Sequence, residues 1–110
     1  MSQRIAKVES QVQQMVAAGL LEYLDRGVAA IVTVTRVDAA PDLRHAIVWL
    51  GVLGDQTGQE KILAQVLEVK VELQQAVAKR STAKFVPRLT FKLDTGGEHA
   101  ADIDLLLRQL

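Results

Sequence analysis

The chain has 110 residues, enough for one domain that buries a modest core without cross-links. Hydrophobic residues make up 49% and aromatic residues only 4%, so Val, Leu, Ile and Ala must form that core. The absence of cysteine excludes disulfides, thiolate metal sites and cysteine nucleophiles, and the net charge of zero argues against strong nonspecific binding to nucleic acid. We expect an intracellular protein, because small secreted domains usually carry disulfides, and the charged N-terminus predicts neither a signal peptide nor a membrane span.

The first predicted element is an amphipathic helix over residues 3–24, which Gly27 should end. Apolar residues recur in it at steps of three and four: Ile5, Val8, Val12, Met15, Val16, Leu20, Leu21 and Leu24. Residues 28–38 and 43–53 alternate and are rich in β-branched side chains, which predicts two antiparallel strands. The residues between them, 39–42, contain proline and aspartate and predict a turn.

A second helix is predicted from a capping box at residues 57–60, in which Thr57 would accept from the third helical amide. Apolar residues continue at four- and three-residue steps: Ile62, Val66, Val69, Leu73 and Ala76. A helix over Gln59–Arg80 is long for this domain, and we predict a bend near Val69–Val71 because the chain must return to the sheet. Residues 85–93 alternate as a third strand, in which Pro87 belongs at a strand start, a bulge or an edge.

The remaining residues, 94–110, predict a turn over 94–97 and a short amphipathic C-terminal helix. The whole chain, residues 1–110, is thus predicted to be a single domain with the order α-β-β-α-β and a short C-terminal helix. This is an α+β fold in which helices cover one side of a three-stranded sheet.

The tripeptide Asp94-Thr95-Gly96 matches the sequence around the catalytic aspartate of pepsin-like and retroviral proteases. Those enzymes need two such aspartates on all-β lobes, and turn chemistry explains the tripeptide here. Neither His45 nor His99 has a clustered partner, and the G-x-x-G spacing at residues 51–54 ends a strand instead of joining two helices. We therefore expect no catalytic residue, no metal site, no cofactor and no enzymatic activity.

Cations are concentrated in one part of the chain. The stretch Leu73–Leu93 contains no acidic residue and five basic ones: Lys79, Arg80, Lys84, Arg88 and Lys92. Such asymmetry favours an anionic partner, although a solvated face beside an acidic tail explains the charges equally well.

Nearly the whole chain is similar to one known family. The most specific match is FVPRLTF (85–91), which resembles an apolar-Val-Pro-x-Leu-x-Phe strand, and RIAKV (4–8) resembles a basic, apolar start of the first helix. Residues 32–38 and 42–48 are similar to the first two strands, and Asp94 with residues 103–106 to an aspartate turn and short helix. The family with these features is ribosome-binding factor A, whose members assist assembly of the small ribosomal subunit in bacteria.

This resemblance implies a type II KH-like fold and a role in binding 16S ribosomal RNA of the 30S subunit during its maturation, without catalysis. It implies a cytoplasmic monomer whose partners are the small subunit and its precursor rRNA, with no membrane. The residues that would contact RNA are Arg4, Lys7, Lys70, Lys79, Arg80, Lys84 and Arg88.

The sequence also departs from the family pattern. The family has an Ala-x-Gly kink between its second and third helices, where this chain has Val69-Lys70-Val71. Its Asp-Pro-Arg after the first helix is Asp25-Arg26-Gly27 here, and the net charge is zero where family members are often basic. These differences motivate an alternative function, a KH-like protein-interaction module that has lost RNA binding.

Overall fold

The computed structural model describes residues 3–81 and 86–95. Its elements are α1 (Gln3–Tyr23), α2 (Arg26–Ala29), β1 (Val32–Ala39), β2 (His45–Val52), α3 (Gln56–Glu68), α4 (Lys70–Arg80) and β3 (Arg88–Leu93). The predicted order of long elements is confirmed, with the second long helix divided into α3 and α4 and a short α2 added. The predicted C-terminal helix and the second half of the 94–97 turn lie outside the described residues.

The three strands form one mixed sheet in the order β1-β2-β3. As predicted, β1 and β2 are antiparallel, whereas β2 and β3 are parallel. The core lies between this sheet and the helices, where Val16, Val48 and Leu73 are fully buried. The central strand is also buried on its second face, where Ile47 is 0% and Trp49 4% exposed.

The junction between α1 and β1 differs from the prediction. Gly27 does not end the first helix, which stops at Tyr23; it lies inside the short helix α2 and donates its N–H to Asp25 Oδ2 at 3.2 Å. Because α2 uses residues 26–29, the first strand begins at Val32 and not at residue 28. Asp25 is the N-cap of α2, and this single residue marks a helix start that apolar periodicity does not reveal.

The predicted capping box at Thr57 is wrong. Asp55 is the N-cap of α3, and its Oδ1 accepts from Gly58 N–H at 2.8 Å, so the helix begins at Gln56. Gln59 stabilises the loop before α3, because its Nε2 donates to the carbonyls of Val52 and Gly54 at 3.1 and 2.9 Å. Aspartate and threonine both cap helices well, and the chain uses the earlier of the two.

The predicted bend in the second long helix is confirmed at Val69. This residue has φ −107° and ψ 17°, which separates α3 from α4. The helices on its two sides have different neighbours, because α3 contacts β3 and α4 packs along α1. Val66 and Leu73 are both fully buried, so the bend lets each half direct its apolar side into the same core.

A side chain of α4 pairs with the backbone at the start of the outer edge of β3. Gln74 Nε2 donates to the carbonyl of Pro87, and Leu89 N–H donates to Gln74 Oε1, both at 2.9 Å. A single amide side chain therefore supplies the donor and the acceptor that a further strand would supply. This also explains Pro87, which lies just before an edge strand as predicted.

The outer edge of β1 is held by α1 in a similar way. Gln13 Nε2 donates to the Val34 carbonyl at 3.0 Å, and Ala39 N–H donates to Glu9 Oε2 at 2.9 Å. Both contacts join the helical layer to the sheet.

Replacing Gln74 should destabilise the fold more than replacing its neighbour Gln75. In Gln74→Ala the Pro87 carbonyl and the Leu89 amide lose their partner, which should cost about 1–3 kcal/mol of unfolding free energy. Gln75 is exposed on the same helix, so Gln75→Ala has the same change in helix propensity and should stay within about 0.5 kcal/mol of the parent. Urea unfolding measures both, and equal midpoints for the two variants would contradict the role given to Gln74.

Candidate nucleic-acid interface

The end of α4 lies beside the middle of α1. A Cβ atom at Gly19 would be only 2.8 Å from Leu73 Cδ2, which places the beginning of α4 near the end of α1. Ser81, directly after α4, borders a depression of about 210 Å³ together with Gln11 and Gln14. The two helices are therefore antiparallel, and α4 runs toward the first turns of α1 and ends next to its middle.

The turn between β1 and β2 and the start of β3 lie at the same end of the molecule. Glu9 of α1 accepts from Ala39 at the end of β1, and Arg88 N–H donates to the Arg44 carbonyl at 2.9 Å. Six exposed cations are found on these segments, and we call them the basic end: Arg4, Lys7, Arg44, Lys79, Arg80 and Arg88.

The basic end contains five of the seven residues predicted to contact RNA. The two others are Lys84, which lies outside the described residues, and Lys70. Lys70 is the first residue of α4 and is half-buried beside the bend, near the end of α1 and therefore away from the basic end. The predicted residues that the structure describes therefore lie on two separate surfaces.

Arg44 is the member of the basic end that the sequence analysis missed. Residues 43–53 were predicted as a strand, but the strand begins at His45 and Arg44 belongs to the turn before it. Asp42 Oδ1 accepts from Arg44 N–H at 3.0 Å, and Leu43 has φ 59°, so the chain is still turning there. The sequence signal was Asp42, because aspartate commonly accepts from an amide two residues later in a turn.

Carboxylates near the basic end do not neutralise it fully. Arg80 Nη2 lies 3.3 Å from Oε2 of Glu22, which is in the last turn of α1, so the guanidinium of Arg80 reaches away from the first turns of that helix. These side chains are 47% and 50% exposed, and such surface pairs contribute little. Glu9 and Asp42 each accept from a backbone amide, and their two negative charges reduce the positive charge of the six cations without cancelling it. Exposed arginines and lysines in this arrangement can contact phosphate oxygens without reading base sequence.

Asp94 has a structural partner. Its Oδ2 accepts from Thr35 Oγ1 at 2.7 Å, and its N–H donates to the Leu50 carbonyl at 2.7 Å. The residue therefore fastens the end of β3 to both other strands. Gly51 belongs to the same contact region, since a Cβ atom there would come within 2.9 Å of Thr35 Cγ2, which explains the glycine at the end of a strand.

Within residues 3–81 and 86–95, no three histidine, aspartate or glutamate side chains are close enough to hold a metal ion. His45 Nδ1 is buried and has no hydrogen-bond partner among the described residues, while His99 lies outside them. No described helix is long and apolar enough to cross a membrane.

Asp94→Asn should leave the protein folded, because the asparagine carbonyl can still accept from Thr35. Asp94→Ala removes that acceptor and should lower the unfolding free energy by about 1 kcal/mol, the usual contribution of one hydrogen bond. Thermal unfolding checks the order of the two variants. A peptidase activity that is present in the parent and lost in Asp94→Asn would contradict this structural role.

Comparison with known proteins identifies close relatives over almost the full chain. The family model for ribosome-binding factor A matches residues 4–107. Ribosome-binding factor A from Bdellovibrio bacteriovorus is 33% identical over 107 residues, which cover 97% of this chain and 80% of that protein.

Two structures are also similar. The solution NMR structure of a Thermotoga maritima candidate ribosome-binding factor A has a TM-score of 0.77 and 26% identity, covering 89% of this chain and 93% of that one. A Thermus thermophilus ribosome-binding factor A homology model, fitted into a cryo-EM map of a complex with the 30S subunit, has a TM-score of 0.65. It is 21% identical, covers 84% of this chain and 98% of that one, and therefore shows the fold alone. The predicted KH-like α+β fold is confirmed by these neighbours.

Proposed function

This chain belongs to the ribosome-binding factor A family, and on that premise we propose that it binds 16S ribosomal RNA of the 30S small subunit while that subunit matures. It supports rRNA processing by holding or reshaping the RNA, and it catalyses no reaction and needs no cofactor. It acts as a monomer in the cytoplasm, where its partners are the small subunit and its precursor rRNA.

The observation that carries this proposal is the concentration of cations at the basic end of a protein whose net charge is zero. Arginine and lysine from α1, α4, the β1–β2 turn and β3 form one surface, and the phosphates of RNA are its natural partners. Lys84 is included in the proposed contact set from its place in the sequence, between α4 and β3. Lys70 is proposed as a separate contact beside the bend.

The small subunit as partner is supported by the family name and by the Thermus thermophilus relative, which is described in a complex with the 30S subunit. The alternative, a protein-interaction module without RNA binding, predicts that the basic end contributes nothing to association with the subunit. The two functions therefore differ in what the cations do, and variants of these residues separate them.

Sedimentation tests the proposed partner directly. The protein should co-sediment with immature small subunits in a bacterial lysate, and less with mature subunits, because the proposed role belongs to maturation. Deproteinised 16S precursor rRNA should also retain the protein on a filter. Co-sedimentation without retention by the RNA would favour the protein-interaction module, and the absence of both would contradict the family role for this chain.

The salt dependence of RNA binding should show the role of the basic end. If RNA is held mainly through phosphates, a triple variant Lys7→Ala, Arg44→Ala, Lys79→Ala should flatten the log–log salt slope by roughly 2, at about 0.7 per lost contact on single strands. All three side chains are exposed, so each substitution should change unfolding free energy by no more than about 0.5 kcal/mol.

The matched control replaces three exposed cations from other parts of the surface: Arg26→Ala, Lys61→Ala and Lys92→Ala. This variant has the same net charge as the first, so a general charge effect would change both slopes equally. Equal slopes for the two variants would contradict the assignment of RNA contacts to the basic end.

A further inference from the structure

The outer edge of β1 presents backbone groups that point away from the sheet. The Ile31 carbonyl accepts from Leu53 N–H at 3.1 Å on the side of β2, while the Val34 carbonyl accepts from Gln13 on the opposite side. Because successive residues of a strand alternate, Val32 N–H, Val32 C=O and Val34 N–H also point outward. β1 is the first strand of the sheet, so within the described chain no strand pairs with these three groups.

Beyond Val34 this edge is interrupted. The register between β1 and β2 shifts between Val34 and Arg36, a bulge that bends the strand, and the Ala39 amide is taken by Glu9. The stretch without a strand partner is therefore Val32–Val34, about 10 Å at the usual rise of a strand. Thr33 is exposed there, while Val32 and Val34 are 9% and 6% exposed, so we call this the open stretch only for its unpaired backbone groups. Natural edge strands are commonly protected by lysine, proline or a bulge, but these three residues are Val, Thr and Val.

A groove runs along the open stretch, between α1 and β1. It encloses about 490 Å³, and its lining includes Gln13, Gln14, Ala17, Leu21, Ala29 and Val32. Leu21 is an apolar side chain at the rim with 73% of its surface exposed. Every described residue that lines the groove is uncharged, so the groove offers hydrogen-bonding and apolar contacts but no partner for a phosphate.

We propose that this groove binds an extended, uncharged peptide segment of a partner protein, which pairs with Val32–Val34 as a fourth strand. Strand addition uses main-chain hydrogen bonds for affinity and small pockets for alternate side chains. Ala17 and Ala29 line the groove with small side chains, and Leu21 adds an exposed apolar side chain that an apolar residue of the peptide can contact. The groove lies along the middle and second half of α1, whereas the basic end includes the first turns of that helix. This inference therefore does not depend on RNA binding.

A synthetic peptide tests the proposal with the full-length protein. The probe alternates threonine and valine, has blocked termini and carries one lysine at each end for solubility. Amide NMR should show saturable shifts at Val32, Val34 and Ala17, with a dissociation constant in the millimolar range or tighter. At about ten times this constant, hydrogen exchange of the Val32 and Val34 amides should slow about tenfold, because exchange then occurs only from the free fraction.

Two controls separate strand pairing from nonspecific contact. A peptide N-methylated at its central valines cannot pair along a strand edge and should lose binding at least about tenfold. Ala17→Glu places bulk and charge in the groove and should weaken the parent peptide similarly, while Ala6→Glu, the same change at another exposed alanine of α1, should not. Circular dichroism establishes that both variants are folded.

Several results would overturn the proposal. These are no saturable shift with folded parent protein, equal binding of the N-methylated peptide, or the same shifts with a single-stranded RNA of similar length. Slow exchange of the Val32 and Val34 amides without peptide would also overturn it. If the protection of these amides without peptide rises with protein concentration, a second copy of the chain pairs with this edge. If it does not depend on concentration, another segment of the same chain covers the edge.

Discussion

A sheet of three strands has two edge strands, and the structure depends on how their outward backbone groups are satisfied. Here helix side chains supply some of these partners: Gln74 pairs with the Pro87 carbonyl and the Leu89 amide at the start of β3, and Gln13 and Glu9 reach β1. These contacts act together with the buried apolar side chains of α1 and α4 in placing the two helices on the sheet, because a short side chain reaches an edge only from a narrow range of positions. In this placement α1 and α4 pack against each other and cover the core on the helical side of the sheet.

The same placement determines the distribution of charge. Once α1 and α4 are antiparallel, α4 runs toward the first turns of α1, and the β1–β2 turn and the start of β3 lie at that end of the molecule. Cations that are far apart in sequence, such as Lys7 and Lys79, are therefore exposed toward the same end. Lysine and arginine in the last turn also suit the negative end of the α4 dipole, so their presence is compatible with helix stability as well as with an anionic partner.

Much of the fold could be predicted from the sequence, because apolar periodicity reports which side of an element is buried. The periodicity placed α1, the strands and the bend near Val69, but it missed α2 and put the start of α3 at Thr57, since caps depend on single side chains such as Asp55. For the candidate site, charge alone selected most of the basic end. Charge alone could not separate Lys70 from the basic end, because the position of Lys70 depends on the direction of α4. It also could not identify Arg44, because the position of Arg44 depends on where β2 begins.

The geometry of the bend at Val69 has a consequence for how relatives are recognised. Its φ of −107° is negative and lies in a region that residues with side chains can adopt, so no glycine is required there. The change of direction is enforced by the burial of Val66 and Leu73 on its two sides and not by the residue at the junction. A search pattern that demands alanine and glycine at this junction would therefore reject chains that bend in the same place, whereas one built on the flanking apolar positions would retain them.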